Sequence, residues 1–435
     1  MTQFRFARIG LLLAAIGLSA TPALLPSAYA QDKKAEAAPQ ESVRKEMYKF
    51  LDGKVLQPLI ESKKYAEATA MLDQADAMPN KTPYEQYVIN RMRLAVALGS
   101  NDKPTLIKML EYSIDSGRLD KDEKAKFHRG LAGYYQEQKN YPKVLENLAK
   151  YGELSGDPAV PRQLMSIRFE SGDIKGVQTD LLKKLEDGIK NNKPMSREEL
   201  HMLADASHRL KDKATYLVAL EGLVRWHPRD RYWSDMLYRT RGKENYSTRF
   251  SADIVRLQKV ATTKMEEQDY LELAEVDQLE GQFIEAKQVL DAGIANGAVN
   301  MNDKVKKLKA QIDKQAADDM KSIASTEASA RKSKDGKGMV NLGYAFVTMG
   351  QYDKGIELIQ AGIAKGGLKN AEDAKLRLGY SYAMAGKKDE AIKVLESVTG
   401  NDGRADLARY WILWVNRPYP ATTGEEQDAA KDKQG

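Results

Sequence analysis

Apolar residues recur at helical spacing along most of this chain, and the segment LGYAFVTMGQYDKGIELI shows the pattern most clearly. Leu342 and Phe346 are four residues apart, which places them on one face of a first helix. Gly350 follows at a position where helices commonly end in a left-handed residue. Ile356 and Ile359 then begin the apolar stripe of a second helix. The pattern therefore predicts two helices joined by a tight turn.

The helix pair is repeated further along the chain. The segment LGYSYAMAGKKDEAIKVL begins at Leu378, 36 residues after Leu342, and keeps the same apolar and polar positions. Gly343 and Gly355 are predicted to lie where the two helix backbones cross, so that close packing offsets glycine's helix cost of about 1 kcal/mol. A period of this length indicates stacked hairpins, because one hairpin cannot bury both of its faces.

These repeated residues resemble the signature of the tetratricopeptide repeat (TPR) family. The unit that matches best has Lys375, Leu378, Gly379, Tyr382, Ala391 and Leu395 at the signature positions. The resemblance covers roughly residues 45–416, although the units near 84–116 and 231–258 are degenerate and the leading aromatic is mostly missing. Sel1-like and other α-solenoid repeats therefore stay open as alternatives. The resemblance implies an all-α fold, an α-solenoid or superhelix of stacked TPR-like hairpins.

Changes in composition divide the chain into segments. Residues 302–334 are highly charged, with a thin apolar stripe and no hairpin glycine, and we interpret them as a break between two solenoid halves or as a flexible helical linker. The ends have little apolar surface to bury and are predicted to be disordered. We predict a signal peptide at 1–30, a disordered linker at 31–44, a TPR-like solenoid at 45–300, a long charged helical segment at 301–335, C-terminal TPR repeats at 336–416 and a disordered tail at 417–435.

The first thirty residues have the features of a secretory signal peptide. Arg5 and Arg8 precede an apolar run over 9–20, which is short for a membrane span. The segment Ser-Ala-Tyr-Ala then offers a small-x-small pattern for cleavage after Ala30. A membrane anchor is the alternative. We expect a periplasmic protein that is not an integral membrane protein once the signal is removed.

Composition excludes several classes of chemistry. The chain has no Cys, which removes thiol catalysis, thiolate metal sites and disulfides. Its net charge is +6, and +4 without the two signal-peptide arginines, so no nucleic-acid partner is expected. None of the sequence motifs for zinc proteases, serine hydrolases, P-loops or dinucleotide binding is present. We predict neither an enzyme nor a bound cofactor.

Three polar residues define one candidate for a metal or catalytic site. His201, Asp205 and His208 lie at i, i+4 and i+7, on one face of a predicted helix. This spacing allows two imidazoles and a carboxylate to face a divalent metal. An envelope enzyme or metal-binding protein using this face is therefore the alternative function, and a solvated polar stripe is the simpler interpretation.

Partner contacts in the TPR family come from the first helices of successive hairpins, which line a concave groove. Carried over to this chain, that implication places a partly basic stripe of ligand-binding residues at Lys126, Arg129, Arg162, His201, Asp205, His208, Arg231, Tyr238 and Arg241, with Tyr344 and Tyr380 further along. Arginines in a groove can hold carboxylates in bidentate pairs. The groove is predicted to bind a protein or peptide segment, and solvated side chains without a ligand are the alternative.

The stretch RWHPRDRYWSDMLYRTR, residues 225–241, has the most unusual local composition. One interpretation is packing between repeats, with arginines stacked on Trp226 and Trp233. The other is a surface for anions or peptides.

A second resemblance concerns the C-terminal half, around KGGLKNAEDAKLRLG. This half looks like periplasmic repeat proteins that accompany TonB–ExbB–ExbD energy-transduction systems. The resemblance implies an envelope energy-transduction or transport complex as partner, and a non-catalytic adaptor that supports TonB-dependent outer-membrane transport.

Overall fold

The computed structural model describes residues 41–418, and all helices and turns below belong to that range. The signal peptide, most of the N-terminal linker and the C-terminal tail after residue 418 lie outside the described residues. Between them, the regular elements of the described chain are helices, without a strand. None of these helices is long and apolar enough to cross a membrane. The predicted all-α solenoid of stacked hairpins is confirmed.

The chain forms two compact units, which divide between Asp173 and Ile174. In unit 1, α4 packs against α5 and α6 against α7 as antiparallel hairpins. Side-chain caps begin several of these helices: Thr82 and Glu85 form a capping box at α4, and Asp120 accepts from the Glu123 amide at α6. The helices are α1 Tyr48–Leu51, α2 Gly53–Glu61, α3 Tyr65–Asp76, α4 Pro83–Ser100, α5 Lys103–Asp115, α6 Lys121–Glu137, α7 Tyr141–Ser155 and α8 Val160–Glu170.

Unit 2 continues the hairpin arrangement. The pairs α10 and α11, α14 and α15, α17 and α18, and α19 and α20 pack most extensively. The domain boundaries predicted at 300 and 336 stay predictions. The helices are α9 Ile174–Lys190, α10 Arg197–Arg209, α11 Lys213–Trp226, α12 Asp230–Arg241, α13 Ser251–Ala261, α14 Glu267–Glu280, α15 Phe283–Ala295, α16 Asp303–Lys332, α17 Lys337–Thr348, α18 Tyr352–Lys365, α19 Ala371–Met384, α20 Lys388–Glu396 and α21 Arg404–Val415.

The α17–α18 hairpin shows the predicted packing of small residues. A Cβ atom added at Gly343 would lie 2.6 Å from the carbonyl oxygen of Gly355, and one added at Gly355 would lie 2.5 Å from the carbonyl oxygen of Gly343. Gly350 follows α17 at φ +78°, the left-handed conformation expected there. The two glycines let the helix backbones touch, and Leu358 and Ile359 are fully buried beside them.

Residues 303–332 form one continuous helix, α16, of 30 residues. It packs against α15 through Val305 and Ile312, and near its end against α17. The charged segment is therefore a single helix between two hairpins of unit 2.

The last helix, α21, joins the end of unit 2 to its beginning. Besides α19 and α20, it contacts α11 and α13. The Tyr410 and Thr240 hydroxyls are 2.8 Å apart, and the Trp414 indole donates to the Val260 carbonyl at 3.0 Å. Arg409 lies 2.9 Å from Glu221. Half of the residues of α21 are buried, among them Leu407, Tyr410 and Trp411, and this face of the helix forms part of the core of unit 2.

A buried charge network lies where α13, α14 and α15 meet. The Arg256 side chain is 3% exposed and pairs with three carboxylates, those of Asp253, Asp277 and Glu285. Its guanidinium also lies 5.1 Å from the centre of the Tyr344 ring on α17. Burial raises the pKa of Asp277 above its usual range, and the neighbouring Arg256 guanidinium opposes this shift.

Candidate functional site

The exposed surface of α10 and α12 in unit 2 carries most of the predicted groove residues. Ser196 and Glu199 form a capping box that begins α10 and places His201 in its second turn. His201 Nε2 lies 2.8 Å from the hydroxyl of Tyr232, and Arg231 donates to that hydroxyl at 2.8 Å. We call the exposed His201, His208, Arg231 and Tyr238, together with the buried Tyr232 that contacts two of them, the α10–α12 surface.

Electrostatics leave the α10–α12 surface positively charged. Burial, followed by the Arg231 guanidinium, lowers the pKa of His201, so its imidazole is neutral at pH 7. Arg231 stacks over the Tyr232 ring at 4.8 Å and makes no ion pair among residues 41–418. Its charge is therefore held in place by an aromatic ring and left available to an outside carboxylate.

Tyr216 of α11 forms a second aromatic contact with the C-terminal ends of α10 and α12. His208 meets the edge of the Tyr216 ring, with centroids 6.3 Å apart, and Arg239 lies 3.9 Å above the same ring. The Tyr216 hydroxyl donates to Asp235 at 3.0 Å, and Asp235 also accepts from Arg239 at 2.7 Å. The Asp235 carboxylate therefore balances the charge of Arg239, whereas Arg231 has no such partner among the described residues.

The remaining predicted residues of unit 2 differ in exposure and in whether they already form an ion pair. Tyr238 is 78% exposed, the second most exposed large apolar side chain after Leu279 among those described. Arg241 is engaged, since it pairs with Glu272 at 2.9 Å. Asp205 pairs with Arg209 one turn later at 3.1 Å. Among residues 41–418 no group of three His, Asp or Glu side chains is placed to hold a metal ion.

Unit 1 carries the other three predicted residues. Lys126 and Arg129 on α6 and Arg162 on α8 are exposed, as the sequence pattern indicates. Arg129 stacks on Tyr151 at 5.3 Å and donates to its hydroxyl at 3.3 Å. None of the three makes an ion pair with another described residue. Arg129 therefore resembles Arg231 in being a cation held by a tyrosine.

The expectation for Tyr344 is wrong. It is 1% exposed and packs against Tyr380, with ring centroids 5.6 Å apart, and Tyr380 packs in turn against Trp411 of α21. Since Tyr380 and Arg377 of α19 and Arg256 of α13 surround its ring, Tyr344 belongs to the interior and cannot contact a partner.

Two arginines of residues 225–241 stack on tyrosines, Arg231 on Tyr232 and Arg239 on Tyr216, while Trp233 is buried in the core. Tyr216 and Tyr232 were not among the predicted site residues. The sequence could have indicated Tyr232, because it directly follows Arg231 and lies within the same aromatic segment.

Comparisons with known proteins give distant similarity only. No protein-family model matches the chain, and no curated protein matches it. Three solved structures are similar to it at a low level: the TPR2AB domain of yeast Sti1 in its pHSP90 complex (TM-score 0.22, 12% identity, 72% of this chain and 98% of that one), Naa15/Naa10 bound to HypK-THB (0.23, 12%, 90% and 59%) and yeast Tom70 (0.23, 13%, 90% and 99%). At these values the similarity carries no argument. On its own structure and sequence, the described chain is built of stacked TPR-like helical hairpins.

Proposed function

We propose that this protein is a non-catalytic scaffold whose α10–α12 surface binds an acidic segment of a partner protein. The observation that carries the proposal is Arg231, an exposed guanidinium fixed on Tyr232 without a carboxylate partner among the described residues. A guanidinium presents two parallel N–H groups to a carboxylate, and a fixed side chain loses little entropy on binding. Exposed Tyr238 on the same helix adds apolar contact area of the kind enriched at interfaces.

Charge reversal at Arg231 tests this surface. Mature protein, residues 31–435, would be used to capture partners from envelope extract, beside an Arg231→Glu variant. A captured protein would then be purified and its Kd measured with both. We expect binding to weaken at least tenfold in the variant, since a charged hydrogen bond contributes about 1.5–3 kcal/mol. The matched control is Lys304→Glu, which reverses a charge that is 79% exposed on α16 of the same unit.

The two units can be tested separately. A variant carrying Arg129→Glu and Arg162→Glu alters unit 1 alone. Partner binding that survives Arg231→Glu and is lost in the unit 1 variant would contradict the proposal and assign the interaction to α6 and α8. Binding unaffected by either variant would rule out both basic surfaces. Circular dichroism of each variant establishes that it is folded.

We also propose that the protein works in the periplasm after cleavage following Ala30. The support is the sequence of residues 1–30, with its basic start, short apolar run and small-x-small end. Fractionation of cells expressing the full chain, with mass measurement of the purified product, tests this. A mature chain beginning at Gln31 in the periplasmic fraction is expected, and an uncleaved chain in the membrane fraction would contradict it.

A role in TonB-dependent transport is a further part of the proposal, supported by the sequence resemblance of the C-terminal half. Deletion of the protein is expected to slow growth on a nutrient that requires TonB-dependent uptake, with no effect on a nutrient that diffuses through porins. An equal effect on both nutrients would contradict a specific transport role.

A further inference from the structure

An acidic stretch of the chain lies outside the described residues, beyond the end of α21. Glu425, Glu426 and Asp428 place three carboxylates within four residues, and no Lys or Arg lies between Pro418 and Lys431. Residues 1–40, outside the described range at the other end, contain two acidic residues and no such cluster. We call residues 425–428 the C-terminal acidic segment.

The described chain ends near the first turn of α12. The Trp414 indole, in the last turn of α21, donates to the Val260 carbonyl of α13 at 3.0 Å. Three residues later, the Thr263 amide donates at 2.8 Å to the side chain of Asp230, the first residue of α12. Arg231 is the next residue. The end of α21 and the start of α12 therefore meet at the same turn.

The length of chain beyond α21 allows the C-terminal acidic segment to reach Arg231. Ten residues separate Val415, the last residue of α21, from Glu425, and they span up to about 33 Å when extended. The route passes the N-terminal end of α12, because Thr240 rather than Arg231 faces α21. Only three residues of chain and two side-chain hydrogen bonds lie between the end of α21 and the start of α12, which is a shorter path.

The charges around the α10–α12 surface fit an acidic segment. Partial burial lowers the pKa of His201 most, and the nearby Arg231 guanidinium lowers it further. Arg197 and Arg229 act in the same direction, while Glu198 opposes them. Three guanidiniums therefore lie close enough to act on one imidazole, and clustered carboxylates are the groups that such a positive field attracts.

We propose that the C-terminal acidic segment binds the α10–α12 surface of its own chain and competes there with the partner protein. The inference rests on the proposed function, since it takes this surface to bind carboxylates. Tethering gives the segment an effective concentration of about millimolar, so weak contacts with Arg231 are enough to occupy the surface. Partner binding then requires displacement of the segment.

Disulfide cross-linking tests the contact, because the natural chain has no Cys and two introduced thiols form the only pair. Mature protein, residues 31–435, carries Gln427→Cys together with Ser234→Cys, at an exposed position three residues after Arg231 on α12. The control combines Gln427→Cys with Lys304→Cys, at a position that is 79% exposed on α16. With oxidised glutathione, the pair at 427 and 234 should close within one molecule at least about tenfold faster than the control pair.

Charge reversal shows what holds the segment. Arg231→Glu should slow closure of the pair at 427 and 234 at least about tenfold, and Glu425→Arg with Glu426→Arg should restore it in that background. Equal closure of the two pairs, closure unaffected by Arg231→Glu, or cross-links formed only between two molecules would overturn the proposal. If Arg231→Glu does not fold, neutralisation of the segment by Glu425→Gln, Glu426→Gln and Asp428→Asn decides, and it should slow closure in the same way.

A synthetic peptide of residues 419–435 with Gln427→Cys measures the competition. It should cross-link to the Ser234→Cys protein at least about threefold faster when that protein's own acidic segment is neutralised, and equal rates would overturn the competition. None of these measurements uses a partner protein, so their failure leaves the capture experiment to decide the proposed function. A captured partner that binds Arg231→Glu at full strength would contradict the proposed function, while the cross-linking rates still decide the contact.

Discussion

The contact between Gly343 and Gly355 gives the sharpest test of how the hairpins are held together. A Cβ atom at position 355 would lie 2.5 Å from the Gly343 carbonyl oxygen and 2.9 Å from the Val347 amide nitrogen. Ordinary contact begins at 3.4 Å, so the first distance is about 0.9 Å too short. Because both obstacles are backbone atoms, Gly355→Ala can be accommodated only if the two helices move apart.

The expected cost follows from two opposing effects. Overpacking a core costs about 1–3 kcal/mol, and a radial gap of about 0.5–1 Å already loses a quarter to a half of the dispersion energy at the separated surface. The better helix propensity of alanine offsets about 1 kcal/mol of this cost. Backbone atoms cannot rotate out of the way as a side chain can, so the overpacking cost of Gly355→Ala should lie near 3 kcal/mol, the upper end of that range. We expect Gly355→Ala to lower the free energy of unfolding of unit 2 by about 2 kcal/mol.

Tryptophan fluorescence during urea unfolding measures this effect in the intact chain. All four tryptophans, at 226, 233, 411 and 414, belong to unit 2, so the signal reports that unit. The control is Gly242→Ala, at φ −82° with ordinary spacing to its neighbours, which should be neutral or stabilising by up to about 1 kcal/mol. An unchanged or higher urea midpoint for Gly355→Ala would refute the packing argument.

Three further predictions concern buried charges. Asp277→Asn should gain stability relative to the native protein as the pH rises from 5 to 8. Burial raises the pKa of Asp277 in the folded protein, so the unfolded native chain releases this proton more readily as the pH rises, which costs the native protein at most about 1.4 kcal/mol per pH unit. Parallel pH profiles of the two proteins by fluorescence would contradict this. Arg256→Met should destabilise unit 2 by about 3–5 kcal/mol, because three carboxylates lose their partner; a shift below 1 kcal/mol in the same assay would count against the network. Glu85, whose pKa is lowered to about 2 by hydrogen bonding from Arg44, stabilises unit 1 above about pH 4.5 and loses this effect as the pH falls through 2. The stability difference between the native protein and Glu85→Gln should therefore shrink on acidification, as measured by far-UV circular dichroism, and a constant difference would contradict it.

Local features of the fold were predictable from the sequence. The apolar stripes, the turn at Gly350 and the small residues at 343 and 355 act within one hairpin, so their spacing contains the information needed to place them. The exposed positions of Arg129 and Arg231 follow from the same helical periodicity.

Contacts between distant segments were not predictable in this way. Arg256 and Tyr344 are 88 residues apart in the sequence, and nothing in the periodicity of either helix indicates that they stack. Tyr344 is buried by side chains from helices outside its own hairpin, Tyr380 of α19 and Arg256 of α13.

The position of α21 also restricts how unit 2 could have evolved. In an open solenoid each repeat contacts only its neighbours, so a duplication adds one repeat and leaves the others undisturbed. Here Trp414 is bonded to Val260 and Arg409 to Glu221, across 154 and 188 residues of chain. A hairpin inserted between these partners would displace α21 from α11 and α13 and expose the apolar side of all three helices. The contacts of α21 with α11 and α13 therefore constrain the number of helices that can lie between them.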